Sequence, residues 1–282
     1  MTASATPVLL GAAIALRAGF FSPWRLALAL FGAVAIQIGT NLINDYYDYM
    51  SGIDLAGGMG SSGVLVEGLL TPSEVWWGGV TAFTVGSAAG LVLVHLCGWP
   101  ILAIGCASVA AGYYYTASPV ALGYLALGEL TVFVFMGPVI VVGSYYVMAM
   151  RVAWSPLIAS LPVGLLVAAI LHANNIRDIQ LDRQHRKLTL ANLFSRRAAN
   201  AEMVALVGGA YVVTVGAAVV GVLPWPVLVT LLTAGRARSE LKAIEQIEPA
   251  KLHAAVLGAA RLHLEFGMLL LVGILSASLL GC

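Results

Sequence analysis

The stretch Phe31–Asp54, FGAVAIQIGTNLINDYYDYMSGID, runs from an apolar segment straight into a knot of amides and carboxylates, with no proline to stop a helix between them. At 100° per residue, Asn41, Asp45 and Asp48 fall within about 60° of one another on a helix and share one face. The apolar part, about residues 24–43, approaches the roughly 20 residues that a membrane-spanning helix needs. The reading is a membrane helix that ends in a carboxylate stripe.

Outward from this stretch the same composition continues. The chain has 282 residues, 60% of them hydrophobic and 10% charged, whereas an ordinary soluble domain carries about 25% charged residues. Apolar runs recur along the whole length and leave no soluble domain over, so residues 1–282 read as one polytopic domain. Breaks at charges, Gly and Pro predict about nine spans. They fall at about 5–21, 24–43, 75–97, 99–117, 124–148, 155–174, 199–220, 222–235 and 263–281. The expected fold is an all-α transmembrane helix bundle. The run Pro7–Leu16 has neither a basic lead nor a small-residue cleavage site, so it reads as part of a first span rather than a signal peptide. Cys97, Cys106 and Cys282 show no metal-ligand spacing and read as packing residues.

Charge placement orients the bundle. Of fourteen Lys and Arg residues, eleven lie after the sixth and eighth predicted spans: Arg177, Arg183, Arg186, Lys187, Arg196 and Arg197, then Arg236, Arg238, Lys242, Lys251 and Arg261. The positive-inside rule puts those loops in the cytoplasm, in a multi-pass protein of a cell (inner or plasma) membrane. The net charge of +1 signals no acidic partner in bulk, and no nucleic-acid partner is expected. Gly57–Gly63, GGMGSSG, reads as a linker or a lid in the first long cytoplasmic loop.

A second polar cluster, LHANNIRDIQLDRQHRKLTLA, closes the sixth span, with Asn174, Asp178 and Asp182 at i, i+4 and i+8 and Arg177 beside them. Each aspartate deep in a bilayer costs about 2.5 to 3.5 kcal/mol, so four unpaired ones would cost on the order of 10 kcal/mol. Arg177 and Lys187 neutralise part of this. Facing carboxylates with amide oxygens nearby are also hard oxygen ligands of the kind magnesium takes, sharing its shell with water and substrate phosphates. The alternative is that both stripes are solvated helix-end residues, which requires the same Asn-to-Asp spacing to arise twice by chance.

These residues resemble those of the UbiA-type superfamily of membrane aromatic prenyltransferases, and within it the branch that acts on 1,4-dihydroxy-2-naphthoate in menaquinone synthesis. The likeness is carried by Gly39–Asp54, by GVLVEGLLTPSEV (63–75), by YYYTASPVALGYLALGEL (113–130), by NNIRD from Asn174, by KLTLA from Lys187 and by ARLHLEFGMLLLVGIL from Ala260. It implies a Mg2+-dependent transfer of a polyprenyl group from its diphosphate to an aromatic acid, with the tail in an apolar tunnel. It further implies Asn41, Asp45, Asp48, Asn174, Asp178 and Asp182 as metal ligands. Arg177 and Lys187 are implied as diphosphate partners, with Asn41, Asn174, Asn175 and Tyr115 also on the substrate. The four aspartates, Arg177 and Lys187 would carry catalysis, and Tyr113, Tyr114 and Tyr115 offer π faces to an allylic cation.

The chain departs from the family pattern in that Arg186 stands where a glycine usually precedes the lysine. It also has no Lys or Arg between Arg25 and Arg151, so the first loop offers a phosphate only backbone amides and hydroxyls such as Ser61 and Ser62. The first span starts almost at the N-terminus, without a basic lead. His172 reads as an acceptor-orienting residue, a base or a plain helix-end histidine; Glu67 as a substrate contact or a solvated residue; His253 and His263 as structural. Rival readings are a cation-coupled transporter, a phospholipid head-group transferase, and prenyl transfer to homogentisate, benzoate or haem-type acceptors.

Overall fold

The computed structural model describes residues 2–53, 62–246 and 248–279. Asp54, Ser61, most of the glycine-rich run and Cys282 lie outside them. Among the described residues the secondary structure is helical, apart from one isolated bridge between Leu125 and Leu188.

Helix α1 (Thr2–Arg17) is followed by α2 (Pro23–Met50) and α3 (Pro72–Cys97). Each of the latter two opens on a proline at its first helical position, where a missing N–H costs nothing. Thr71 and Glu74 close a reciprocal capping box on α3, and Gly98, at φ +87°, turns the chain into α4 (Trp99–Tyr113). The next span is built from α5 (Gly128–Val134), a π turn over Phe135–Val139 that accommodates Pro138, and α6 (Ile140–Ala149). Then come α7 (Trp154–Arg177), the short α8 (Ile179–Gln184) and α9 (Leu190–Leu193), and α10 (Arg196–Val219). A 3-10 helix (Trp225–Thr233), α11 (Ala234–Ala243) and α12 (Pro249–Leu279) complete the chain.

Six of these segments are long and apolar enough to cross a membrane: α2, α3, α5 to α6, α7, α10 and α12. Helices α1 and α4 are apolar but shorter. The expected count of nine is therefore not established by length. The eighth predicted span is the 3-10 helix, nine residues long. The last begins at Pro249, not near 263, because hydropathy discounts Lys251 and Arg261. Periodicity does not: Leu252, Ala255, Val256, Ala259, Leu262 and Phe266 are buried on one face of α12.

Packing centres on α7, whose most hydrophobic window is 67% buried against 28% for α2, α3 and α10. It touches α1, α5, α6, α10 and α12, while the outer helices leave residues such as Val212, Val219 and Val92 bare, as lipid-facing surfaces do. Trp24, Trp99 and Trp154 are exposed at helix starts on the side away from the aspartates, in the positions of interfacial anchors. Small residues allow the tight crossings. A Cβ on Gly39 would meet the Gly79 carbonyl at 3.1 Å, and one on Gly137 would meet the Gly164 Cα at 2.8 Å. Replacing Gly137 with Val should therefore push the π-turn span off α7 and destabilise the protein by about 1 to 3 kcal/mol, seen as a lower melting temperature in detergent.

Candidate active site

Helix α2 stays helical to Met50, so Asn41, Asp45 and Asp48 do share a face. The Asp45 carboxylate (Oδ2) accepts from Ser62 Oγ at 2.6 Å, and Asp48 Oδ1 accepts from the Tyr124 hydroxyl at 2.6 Å. Hydroxyls thus hold the first stripe. Ser62, expected as a weak phosphate contact, is turned onto Asp45, and Glu67 is exposed in the loop beyond it.

Helix α7 ends at Arg177, and Asp178 sits at the break before α8. The backbone bonds from Asp178 N to Asn174 O (3.0 Å) and from Asp182 N to Asp178 O (2.8 Å) survive that break, so the i, i+4, i+8 stepping of the second stripe persists. Here cations hold the carboxylates. Arg177 grips Asp178 through Nε (2.7 Å) and Nη2 (2.6 Å), while its Nη1 lies 3.2 Å from His253 Nδ1 on α12. Asp182 is buried, 3.7 Å from Lys187 Nζ.

The two stripes meet through Tyr124. Its hydroxyl binds Asp48 and its ring lies 5.3 Å from Lys187 Nζ, which pairs with Asp182. A strand-like contact fixes this meeting, since Ala126 N donates to Leu188 O and Leu188 N to Tyr124 O. The bond from Thr189 N to Asn192 Oδ1 (3.0 Å) and the Asn192 amide on Lys187 O shape the turn that presents Lys187. In that turn Arg186 has φ +56°. The backbone there adopts the left-handed conformation that glycine takes without penalty, which is why a glycine suits the position and why arginine is strained in it.

Burial pushes Asp182 up to about 6; Lys187 opposes the shift, and the like charges of Asp178 and Asp48 add to it. Tyr124 is driven above its ordinary range by burial, then by the Asp48 charge and its hydrogen bond. Tyr115 is driven up by burial and by Glu129, Asp48 and Asp182. Both phenols therefore stay protonated.

Behind the stripes lies a cavity of about 830 Å³. Asn41, Asn44, Asn174 and Tyr113, Tyr114 and Tyr115 line it at the aspartate end, and Leu28, Gly90, Leu93, Ile101 and Val147 at the far end. Asn175, expected on substrate, faces elsewhere: its Nδ2 donates to Glu129 Oε1 at 2.8 Å, because one residue turns the helix by about 100° from Asn174. Arg177, expected on the diphosphate, is committed to Asp178 and His253 and does not line the cavity. His172 does not line it either; with buried Glu129 and half-buried Glu202 it forms a separate cluster. Glu129 carried no signal in the sequence beyond being a lone acid in an apolar run. His263 is fully buried on α12.

The stripes fit a divalent cation. Their donors are carboxylate and amide oxygens, and Asp182 Oδ2 and Asn44 Oδ1 are buried without a hydrogen-bond partner. Oxygens in that state are ready for a hard cation.

A UbiA prenyltransferase family model matches residues 4–258. A 1,4-dihydroxy-2-naphthoate octaprenyltransferase of Bacillus subtilis is 32% identical over 280 residues, 98% of this chain and 89% of that protein. The chain belongs to the UbiA prenyltransferase family. It is a transferase of prenyl groups and an integral membrane protein, which removes the transporter and head-group transferase readings. A 1,4-dihydroxy-2-naphthoate octaprenyltransferase of Mycobacterium tuberculosis is 40% identical over 60% of this chain and 57% of its own length. Among solved structures, the apo form of a UbiA homolog from Aeropyrum pernix superposes with a TM-score of 0.72 at 16% identity, covering 95% of this chain and 97% of that one. A UbiA homolog from Archaeoglobus fulgidus bound to DMAPP and Mg2+ gives 0.62 at 14% identity, over 95% and 96% of the two chains. At such identities these two comparisons establish the fold.

The raised Asp182 means that its neutral form is favoured in the folded state. That contribution is present below the ordinary carboxylate range and is lost as pH rises through about 6. The metal-free protein should therefore melt lower at about pH 7.5 than at about pH 5, and Asp182→Asn should flatten that difference.

Proposed function

We propose that this enzyme moves a polyprenyl group from its diphosphate onto 1,4-dihydroxy-2-naphthoate with loss of carbon dioxide, giving demethylmenaquinone in its hydroquinone form, and that it needs Mg2+. The observation that carries the reaction type is the joining of the two stripes through Asp48, Tyr124, Lys187 and Asp182 at the polar mouth of an apolar cavity. What favours the naphthoate acceptor is the full-length likeness to the Bacillus subtilis protein of that printed activity.

Asn41, Asp45 and Asp48 with Asn174, Asp178 and Asp182 would hold the metal. When bound, it supplies Lewis-acid stabilisation of the charge on a leaving diphosphate. Lys187 adds a fixed positive charge beside Asp182, and Arg177 orients Asp178. The apolar walls hold the tail and exclude water. Tyr113, Tyr114 and Tyr115 present π faces where an allylic cation forms as the carbon–oxygen bond breaks. The ring carbon bearing the carboxylate forms the new bond, carbon dioxide departs, and the electron pair that held it returns to the ring, so no oxidant is needed.

The aspartate end also carries Arg183, Arg186, Lys187, Arg196 and Arg197, and by the positive-inside rule we place it in the cytoplasm of a cell membrane.

Two outcomes test this reading. With acceptor labelled in its carboxylate, label should leave as carbon dioxide in step with prenyl transfer; label kept in the product would exclude this acceptor chemistry. Asp45→Asn and Asp178→Asn should each cost several kcal/mol of transition-state stabilisation, and the double variant little more, because residues that act as one unit are strongly non-additive. Near-normal turnover in both single variants would return the stripes to solvated helix ends.

A further inference from the structure

Glu129, His172 and Asn175 are buried, polar and outside the cavity wall, so substrate contact does not account for them. We infer that Glu129 and His172 are positioning residues that lock the last turn of α7, so that Asn174 and Asp178 point at the first stripe. The inference rests on the metal–diphosphate reading above.

The geometry is that of a clamp on one helix face. Asn174 lines the cavity, whereas Asn175, about 100° further round, donates from Nδ2 to Glu129 Oε1 at 2.8 Å. His172 lies three residues before Asn175, on the same face, with Nδ1 3.1 Å from that same Glu129 oxygen. Its other nitrogen is 2.9 Å from the Ala199 carbonyl on α10. A carbonyl only accepts, so Nε2 carries a hydrogen and donates it. Helix α7 is thereby pinned to α5 on one side and to α10 on the other, at the turn that delivers Asn174 to the cavity.

Any roll of α7 that carried Asn174 and Asp178 away from α2 would break these bonds. Asp178 is four residues beyond Asn174 and turns with it. Packing does not explain the clamp, because an apolar side chain would fill the space without a buried carboxylate, and Glu129 Oε2 is left with no partner. Groups that orient metal ligands from behind set the direction of those ligands, and their loss typically costs about 10- to 100-fold in metal affinity.

The test uses the full chain in detergent and a non-reacting probe, farnesyl thiodiphosphate, titrated by calorimetry at a series of Mg2+ concentrations. The Mg2+ needed for half-maximal binding does not depend on how much of a preparation is folded, so a purely structural role would not move it. Glu129→Leu should raise it about tenfold or more. Glu129→Gln should stay near the parent, since one amide hydrogen can donate to His172 Nδ1 and the other to Asn175 with its own amide flipped. Glu202→Gln, whose carboxylate is 3.8 Å from His172 Nε2 and outside hydrogen-bond range, should leave it unchanged.

An unchanged Mg2+ requirement in folded Glu129→Leu would overturn the clamp, as would a change in Glu129→Gln as large as in Glu129→Leu. Where Glu129→Leu does not fold, His172→Leu takes its place: it removes the bonds to both Glu129 and the Ala199 carbonyl, and an unchanged requirement there overturns the clamp equally. A parent protein that binds the probe without regard to Mg2+ would instead sink the metal–diphosphate reading on which the clamp rests.

Discussion

A carboxylate at the end of an apolar bundle has to be matched, and the aspartate end of this protein is arranged around that demand. The two stripes meet it differently. On α2, where no Lys or Arg occurs between Arg25 and Arg151, Asp45 and Asp48 are held by the hydroxyls of Ser62 and Tyr124. On α7 and α8, Asp178 and Asp182 are held by Arg177 and Lys187. A hydroxyl orients a carboxylate and leaves its charge in place, whereas a cation cancels it. The first stripe therefore keeps its negative potential, and the second lies within reach of positive charge.

The same demand explains why α7 sits at the centre. Its apolar length is buried by α1, α5, α6, α10 and α12, and its last turn carries polar groups on two faces. One face meets the cavity at Asn174, and the other meets Glu129 at His172 and Asn175. A helix at the rim of the bundle has only one protein-facing side and would turn one of these sets toward lipid. Packing on all sides lets a single helix end present Asn174 to the cavity and be gripped from behind at His172 and Asn175.

Much of this arrangement is legible in the residues themselves. Both aspartate stripes follow from helical spacing, and the membrane class follows from composition. The boundaries of α3 and α7 lie close to hydropathy breaks, whereas α2 runs past the break expected near residue 43 and ends at Met50. The start of α12 was hidden because its first turns are amphipathic, with Lys251 and Arg261 lowering the average although the buried positions keep a helical period. Arg186 departs from the glycine of the family pattern; its positive φ is one that glycine takes without strain and an L side chain does not.

What the sequence by itself determined is periodic and local: an all-helical membrane chain, two carboxylate stripes at helix ends, and a charge bias between the two ends of the bundle. These are fixed by spacing along one helix and by the cost of polar groups in lipid. The tertiary structure decided which of two adjacent amides, Asn174 or Asn175, faces the cavity, that Arg177 is bound to Asp178 and His253, that Tyr124 joins the stripes, and that Glu129 grips α7. Apart from the bond between neighbours Arg177 and Asp178, each of these depends on the roll of one helix against another, and that roll is set by side chains from segments 43 to 76 residues apart in the chain.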